Sequence, residues 1–459
     1  MTTFRQMYAD KLCSPEKAAG LVKSNDYVDY GFFNGKPVAF DRALAARKSE
    51  LSNVVIQSCV TVLPVPEVIM QDPLGEVFTY HDIHFSPLTR IMQSRGVKSI
   101  YYSPPVLGEA EVYSDVESLT NGKMGVPQRA VFAFRTTPMD EQGYFNFGLS
   151  NSCTYEQAIG AGVVIVEENS NMPIALGGDK EKIHISQIDY IIQDDSPLGE
   201  ISVKDASEVD RLIAGHILDQ LNDGCCIQLG IGGMPNILGK LISETDLKDL
   251  GGHTEMLSDA YIDMFESGRM TGLRKNVDIG KIVYTFALGT RKLYDFVHNN
   301  TALASYNTGY SNHPLSLAKI DKLISINQAL KVDIFSQVSA ENSNFRQISG
   351  NGGMLDFVQG AFWSNGGKSF ICLPSSYENK EGQRISNIVP FLPIGTSVTV
   401  PRQTVHNIVT EYGCANMKGA STWSRAERLI DIAHPDFKDE LVKSAQEYGI
   451  WRKSNKITA

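Results

Sequence analysis

One carboxylate and two glycine-rich segments carry the chemistry this chain offers. Glu255 lies in Gly251-Gly-His-Thr-Glu-Met-Leu-Ser258, a stretch that predicts a short extended segment. Ser258 is placed to cap a helix running through Ala260, Ile262 and Phe265 to a stop at Gly268. Upstream, Cys225-Cys-Ile-Gln-Leu-Gly-Ile-Gly-Gly-Met-Pro-Asn-Ile-Leu238 reads as strand, glycine turn and helix. Glycines let backbone approach a ligand, and a helix start favours an anion such as a phosphate or the arm of a pantetheine. The turn is not a dinucleotide fingerprint, because the third spaced glycine is missing, and no Gly-Lys-Ser/Thr follows to make it a Walker loop. Downstream, in Ser349-Gly-Asn-Gly-Gly-Met354, the backbone N–H groups of Gly352 and Gly353 could meet a developing oxyanion. Losing one such donor typically raises a barrier by about 3–4 kcal/mol. Gly366-Gly-Lys368 offers a cation for a phosphate. Each feature has a plain alternative: a tight βα turn, a surface glutamate, a turn forced by positive φ, a solvated lysine.

Other constellations are weaker. His81-Asp-Ile-His84 has i,i+3 spacing and no third ligand, so a structural or surface pair is expected and no metal. Asn312-His-Pro314 reads as a turn with Asn312 as a side-chain donor. The absence of Gly-x-Ser-x-Gly leaves a serine hydrolase without support.

Positioning these groups requires an α/β framework. Asn53–Val62, Val163–Glu168, Cys225–Leu229, Lys281–Ala287, Leu323–Asn327, Ser369–Leu373 and Asn407–Thr410 are expected strands. Many are continuous apolar runs, the pattern of strands buried on both faces in a parallel sheet. Ser207-Glu-Val-Asp210 opens a helix whose apolar face is Val209, Leu212, Ile213, Ile217 and Leu221, with Asp223-Gly224 as its stop. Trp423–Ala433 and Asp436–Tyr448 are expected closing helices. Ser196-Pro-Leu-Gly-Glu200 marks the best boundary, giving domains of 1–200 and 201–459. Gly35 and Pro37 echo Gly233 and Pro235, each set after an apolar strand, which is compatible with duplication or with two ordinary βα turns.

The chain has 459 residues, 42% hydrophobic and 20% charged, a globular composition with room for two or three domains. A net charge of −10 argues against nucleic acid as a partner. Without a long apolar run, no membrane span is expected, and the residues from Met1 to Asp10 do not read as a signal peptide. Seven cysteines, none spaced Cys-x-x-Cys, predict neither a disulfide framework nor zinc, and point to a reducing cytoplasm.

Taken jointly, Leu229-Gly-Ile-Gly-Gly-Met-Pro235, His253-Thr-Glu-Met256, Asn312-His-Pro314 and Gln347-Ile-Ser-Gly-Asn-Gly-Gly-Met-Leu-Asp-Phe357 resemble the acetyl-CoA hydrolase/transferase family. So do Met139–Gly148, Gly366–Cys372 and Ser421–Glu427. This class I CoA-transferase resemblance runs over nearly the whole chain and is nearest to butyryl-CoA:acetate and 4-hydroxybutyrate CoA-transferases. It implies two open, mostly parallel-sheet α/β domains with an active site in the cleft between them. It implies Glu255 as nucleophile, with Asn312 and Gly353 near the thioester carbonyl. Gly230, Ile231, Gly232, Gly233, Met234, Gly350, Gly352 and Lys368 would then serve coenzyme A, as substrate and transient covalent thioester, with no metal. The implied reaction moves CoA between short-chain acids such as butyrate and acetate by a ping-pong route. Acetyl-CoA hydrolysis and 4-hydroxybutyrate or propionate transfer are the alternatives. A homodimer or homotetramer is the expected assembly. One departure is Met354, where the family often has glutamine.

Overall fold

The computed structural model describes residues 3–114, 123–202 and 205–450, so the outermost ends of both expected domains lie outside the described residues. Two compact units emerge. One comprises Met1–Ser202, Glu255–Leu257 and Val283–Ser311; the other comprises Val203–Thr254, Ser258–Ile282 and Asn312–Ala459.

The first unit is built on a seven-stranded parallel sheet: β1 (Tyr27–Tyr30), β2 (Val54–Ser58), β3 (Phe78–Asp82), β4 (Ile100–Tyr102), β5 (Val131–Thr136), β6 (Val163–Glu168) and β7 (Tyr190–Gln193). Their order is 4-3-2-1-5-6-7, so the winding reverses between β1 and β5. In such sheets ligands collect beyond the carboxyl ends at the reversal. Val28, Tyr30, Val54, Ile56, Phe78 and Tyr80 are buried in its core. Each such side chain stabilises the fold by about 1.5–3 kcal/mol relative to exposure. Helix α1 (Ala39–Ala45) starts where the Glu167 carboxylate accepts the Val38 and Phe40 amides, at 2.6 and 3.0 Å. Helix α2 (Pro87–Ser94) is opened by a reciprocal Ser86–Thr89 cap.

The sequence ran β2 on to Val62. The strand stops at Ser58, because Val60 turns to φ +50°. The expected strand Lys281–Ala287 breaks at Thr285 into Ile282–Tyr284 and Phe286–Ala287. The second piece pairs in parallel with Met256–Leu257.

In the second unit, β8 (Cys226–Leu229), β9 (Gly251–His253), β10 (Leu323–Gln328), β11 (Lys368–Cys372), β12 (Asn407–Thr410) and β13 (Gly413–Asn416) run in the order 9-8-10-11-12-13. All are parallel except β13 against β12. The winding reverses between β8 and β10. Helix α3 (Glu208–Leu218) precedes β8, α4 (Gly233–Ser243) follows it, and α5 (Ala260–Glu266) follows the Glu255 stretch. Helix α6 (Met354–Trp363) crosses from β10 to β11; α7 (Thr422–Asp431) and α8 (Pro435–Glu447) close the chain. Helix α3 ends at Leu218, a turn before the expected stop, and Gly224 at φ +72° instead feeds β8. The α5 cap is Asp259, not Ser258, whose hydroxyl points to the Gly230 carbonyl at 3.4 Å. Among the described residues no helix is long and apolar enough to cross a membrane.

Ser207 and Asp210 cap α3 reciprocally, with Asp210 N–H to Ser207 Oγ at 3.1 Å and Ser207 N–H to Asp210 Oδ2 at 2.9 Å. Ser207→Ala is expected to lower stability by about 1 kcal/mol, and Ser207→Thr by much less, in urea unfolding.

Candidate functional site

In the second unit, the carboxyl edge of the parallel strands gathers the glycine segments. Leu229 leads straight into Gly230, and Gly232 takes φ +134°, a region open to glycine. A side chain there would meet the Gln328 amide at 3.5 Å, which sets the turn beside the end of β10, at the winding reversal. Ile231 is exposed and Met234 is buried, so the two side chains point to different surroundings. Ser349–Gly353 enters α6 at the same edge, with Gly352 at φ +51° and Gly353 as the cap residue. Both segments therefore present helix starts, where orphan N–H groups favour an anion.

Lys368 is not brought to them. It opens β11 level with Ile324, at the amino edge of the sheet, and its ammonium donates to the Gln220 side chain at 3.2 Å. Asn312 is fully buried directly after the short helix Thr308–Ser311. His313 caps the next turn, Pro314–Leu317, through Nδ1 accepting the Leu315 amide at 3.2 Å. The Asn-His-Pro segment is thus a helix entry rather than an open turn.

Glu255 is half-buried. Its carbonyl accepts the Thr285 amide at 2.9 Å and the Phe286 amide at 3.3 Å. Its neighbours are tied as well. Thr254 Oγ1 donates to the Leu229 carbonyl at 3.2 Å, and the Tyr261 hydroxyl accepts the Leu229 amide at 2.8 Å. Backbone bonds fix the residue's main chain.

In the first unit an apolar cluster lies against Met256, the residue after Glu255: Phe32, Phe33, Cys59, Val62, Ile83 and Phe286 belong to it. The Phe33 ring stacks on Phe286 at 3.8 Å. Burial, then the charges of Asp82, Glu255 and Cys153, push the Cys59 thiol well above its ordinary range. Cys59 is therefore near enough to Glu255 to feel its charge. Phe33 and Val60 both hold positive φ, at +51° and +50°, which costs about 1–3 kcal/mol each for such residues.

The Val60 conformation rests on a buried carboxylate that the sequence did not flag. Asp82, fully buried, accepts the Val60 amide at 3.0 Å and the Thr89 hydroxyl at 3.0 Å. It also accepts the Thr61 hydroxyl at 3.2 Å and the His84 amide at 3.3 Å. Burial pushes its carboxyl up to about 7 despite those donors. Lys36 donates to the Val62 carbonyl at 2.9 Å and to that of Pro64, and burial lowers it to about 8. In His81-Asp-Ile-His84 it is the aspartate, not the histidine pair, that shapes the neighbouring loop. Strand alternation gives the signal in hindsight: Tyr80 and Asp82 face inward, whereas His81 meets the Tyr27 and Tyr101 rings. Among the described residues no group of three or more His, Cys, Asp or Glu is arranged to hold a metal, and all seven cysteines are free thiols.

The profile of the acetyl-CoA hydrolase/transferase N-terminal domain matches residues 1–201, and that of its C-terminal domain matches residues 289–445. The chain belongs to the acetyl-CoA hydrolase/transferase family. A butyryl-CoA:acetate CoA-transferase of Anaerostipes caccae is 45% identical over 99% of this chain and 100% of its own length. A probable butyrate:acetyl-CoA coenzyme A-transferase of Syntrophomonas wolfei is 47% identical over 98% of each chain. The crystal structure of RipA from Yersinia pestis superposes with a TM-score of 0.87 at 32% identity, covering 98% of this chain and 100% of that one. The α/β class with mostly parallel sheets is thus that of the family.

Asp82 titrates higher folded, near 7, than a free aspartate near 3.9. Between those values the folded state binds the extra proton, so this contribution to stability is full below about 4 and is lost as pH climbs through 7. Asp82→Asn removes it. The stability of the unaltered protein relative to Asp82→Asn should fall by on the order of 1 kcal/mol or more from pH 5 to pH 8 in urea unfolding. An unchanged difference would contradict the assignment.

Proposed function

We propose that this enzyme is an acyl-CoA:carboxylate CoA-transferase that works between butyryl-CoA and acetate, with Glu255 as covalent nucleophile. The Glu255 carboxylate attacks the acyl carbonyl, the C–S bond breaks, and CoA leaves as thiolate. The resulting mixed anhydride is attacked by that thiolate at the glutamyl carbonyl, which releases butyrate and leaves a glutamyl-CoA thioester. Acetate attacks the thioester and releases the thiolate, which then attacks the acetyl carbonyl of the new anhydride. Acetyl-CoA forms and the Glu255 carboxylate is restored. No water is consumed, so the thioester energy is conserved.

The anchoring of the Glu255 main chain beside an apolar cluster is the observation that carries this reading. A nucleophile that is already anionic needs no general base, and the apolar neighbours suit a short acyl chain. The helix starts at Gly230–Gly233 and Gly350–Gly353 suit the polar arm of CoA and a developing oxyanion, with Asn312 as a further amide donor. The likeness to two butyrate-acting relatives at 45% and 47% identity supports butyrate and acetate as the acid pair. A cytoplasmic setting suits seven free thiols.

Glu255→Ala is expected to lower transfer by roughly three orders of magnitude or more, the scale seen when a covalent nucleophile is removed. Borohydride added during turnover should convert residue 255 to the corresponding alcohol, detectable by mass spectrometry of its peptide. Full transfer activity in Glu255→Ala would contradict the mechanism. Release of free acid and CoA at the same rate with and without acetate would favour hydrolysis instead.

A further inference from the structure

We propose that Asp82 and Lys36 are positioning residues that clamp segment 59–64 from both ends and so set the chain-length preference; this rests on the reading of Glu255 as nucleophile. The segment leaves the carboxyl end of β2 and supplies Cys59 and Val62 to the apolar cluster beside Glu255. Its shape is not one its sequence favours. Val60 is β-branched, yet it sits at φ +50°. An alternative extended path for Val60 would move the apolar wall, so something outside the segment must hold it.

Asp82 holds the first half. Its Oδ1 accepts the Val60 amide and its Oδ2 accepts the Thr61 hydroxyl, while Thr89 on α2 and the His84 amide fix the carboxylate itself. Lys36 holds the second half through the Val62 and Pro64 carbonyls. A third tie runs from the Phe33 amide to the Cys59 carbonyl at 3.0 Å. Because Phe33 stacks on Phe286, and the Phe286 amide donates to the Glu255 carbonyl, the clamped segment is in register with the nucleophile's own main chain. Neither ion touches the reacting atoms; each acts through the backbone it holds.

The test compares kcat/KM for acetyl-, butyryl- and hexanoyl-CoA in Asp82→Ala, Asp82→Asn, Lys36→Met and Thr89→Val. One methylene in a tight apolar site is worth about tenfold or more, so a displaced wall should change the butyryl-to-acetyl ratio by about tenfold in Asp82→Ala and Lys36→Met. Asp82→Asn keeps an oxygen for the Val60 amide, and the Thr61 and Thr89 hydroxyls can rotate to accept its NH2, so it should restore the ratio to within about threefold. Thr89→Val leaves segment 59–64 untouched and serves if Asp82→Ala does not fold. It should shift the ratio in the same direction by a smaller factor. Unchanged ratios in Asp82→Ala or Thr89→Val, or an equal loss for all three substrates, would overturn the clamp. The ratios are read from turnover, so a failure to label Glu255 in the unaltered protein would count against the covalent mechanism alone.

Discussion

The Glu255 carbonyl, accepting the amides of Thr285 and Phe286, is the constraint around which the rest of the first unit's site is arranged. It is met only because the strand that could have run from Lys281 to Ala287 breaks at Thr285, freeing its second half to pair with Met256–Leu257. That pairing fixes the main chain of the proposed nucleophile. Through Phe286 it also sets where the Phe33 ring, and hence the loop after β1, must lie. In the second unit, Thr254 and Ser258 bond to the Leu229 and Gly230 carbonyls. Thr254 and Ser258 are thus tied to the main chain at the start of the glycine turn.

Parallel sheets place every carboxyl end at one edge, and the first unit loads that edge with charge. Asp82 ends β3, Arg135 lies near the end of β5, and Glu167 lies near the end of β6. Taking such groups out of water is expensive, and an ion pair such as Arg135–Glu167 at 3.1 Å recovers only part of the cost. What these ions secure is geometry. Glu167 starts α1, Asp82 bends the chain at Val60, and Lys36 gathers the Val62 and Pro64 carbonyls. Loop shape is thereby specified at the edge where ligands bind, at the expense of stability that apolar packing supplies elsewhere.

Legibility of this arrangement in the sequence followed physical lines. Runs such as Val163–Glu168 and Asn407–Thr410 have the bounds their apolar content predicts, because a strand buried on both faces is set by its own composition. The Ser207–Asp210 cap was equally readable, since donor and acceptor are three residues apart. Val60 was not: a β-branched run predicts extension, and only Asp82, more than twenty residues away, turns it. Lys368 misled for the opposite reason. A glycine pair before a lysine resembles a phosphate loop, but here it is the turn that enters β11 at the amino edge, facing Gln220. An aspartate or lysine looks the same in sequence whether it is solvated or buried, so of the ions that shape the loops only Asp82 left a trace, in the alternation of its strand.

The central claim is that oxygen passes between the carboxylate substrate and Glu255, never from water. Turnover of butyryl-CoA with acetate carrying oxygen-18 in both positions, followed by mass spectrometry of the peptide holding Glu255, tests it directly. Acetate attacking a glutamyl-CoA thioester must leave one of its oxygens on the glutamate when acetyl-CoA departs. The account predicts oxygen-18 in the Glu255 carboxylate after a single turnover in ordinary water. An unlabelled Glu255 alongside labelled acetyl-CoA would contradict it.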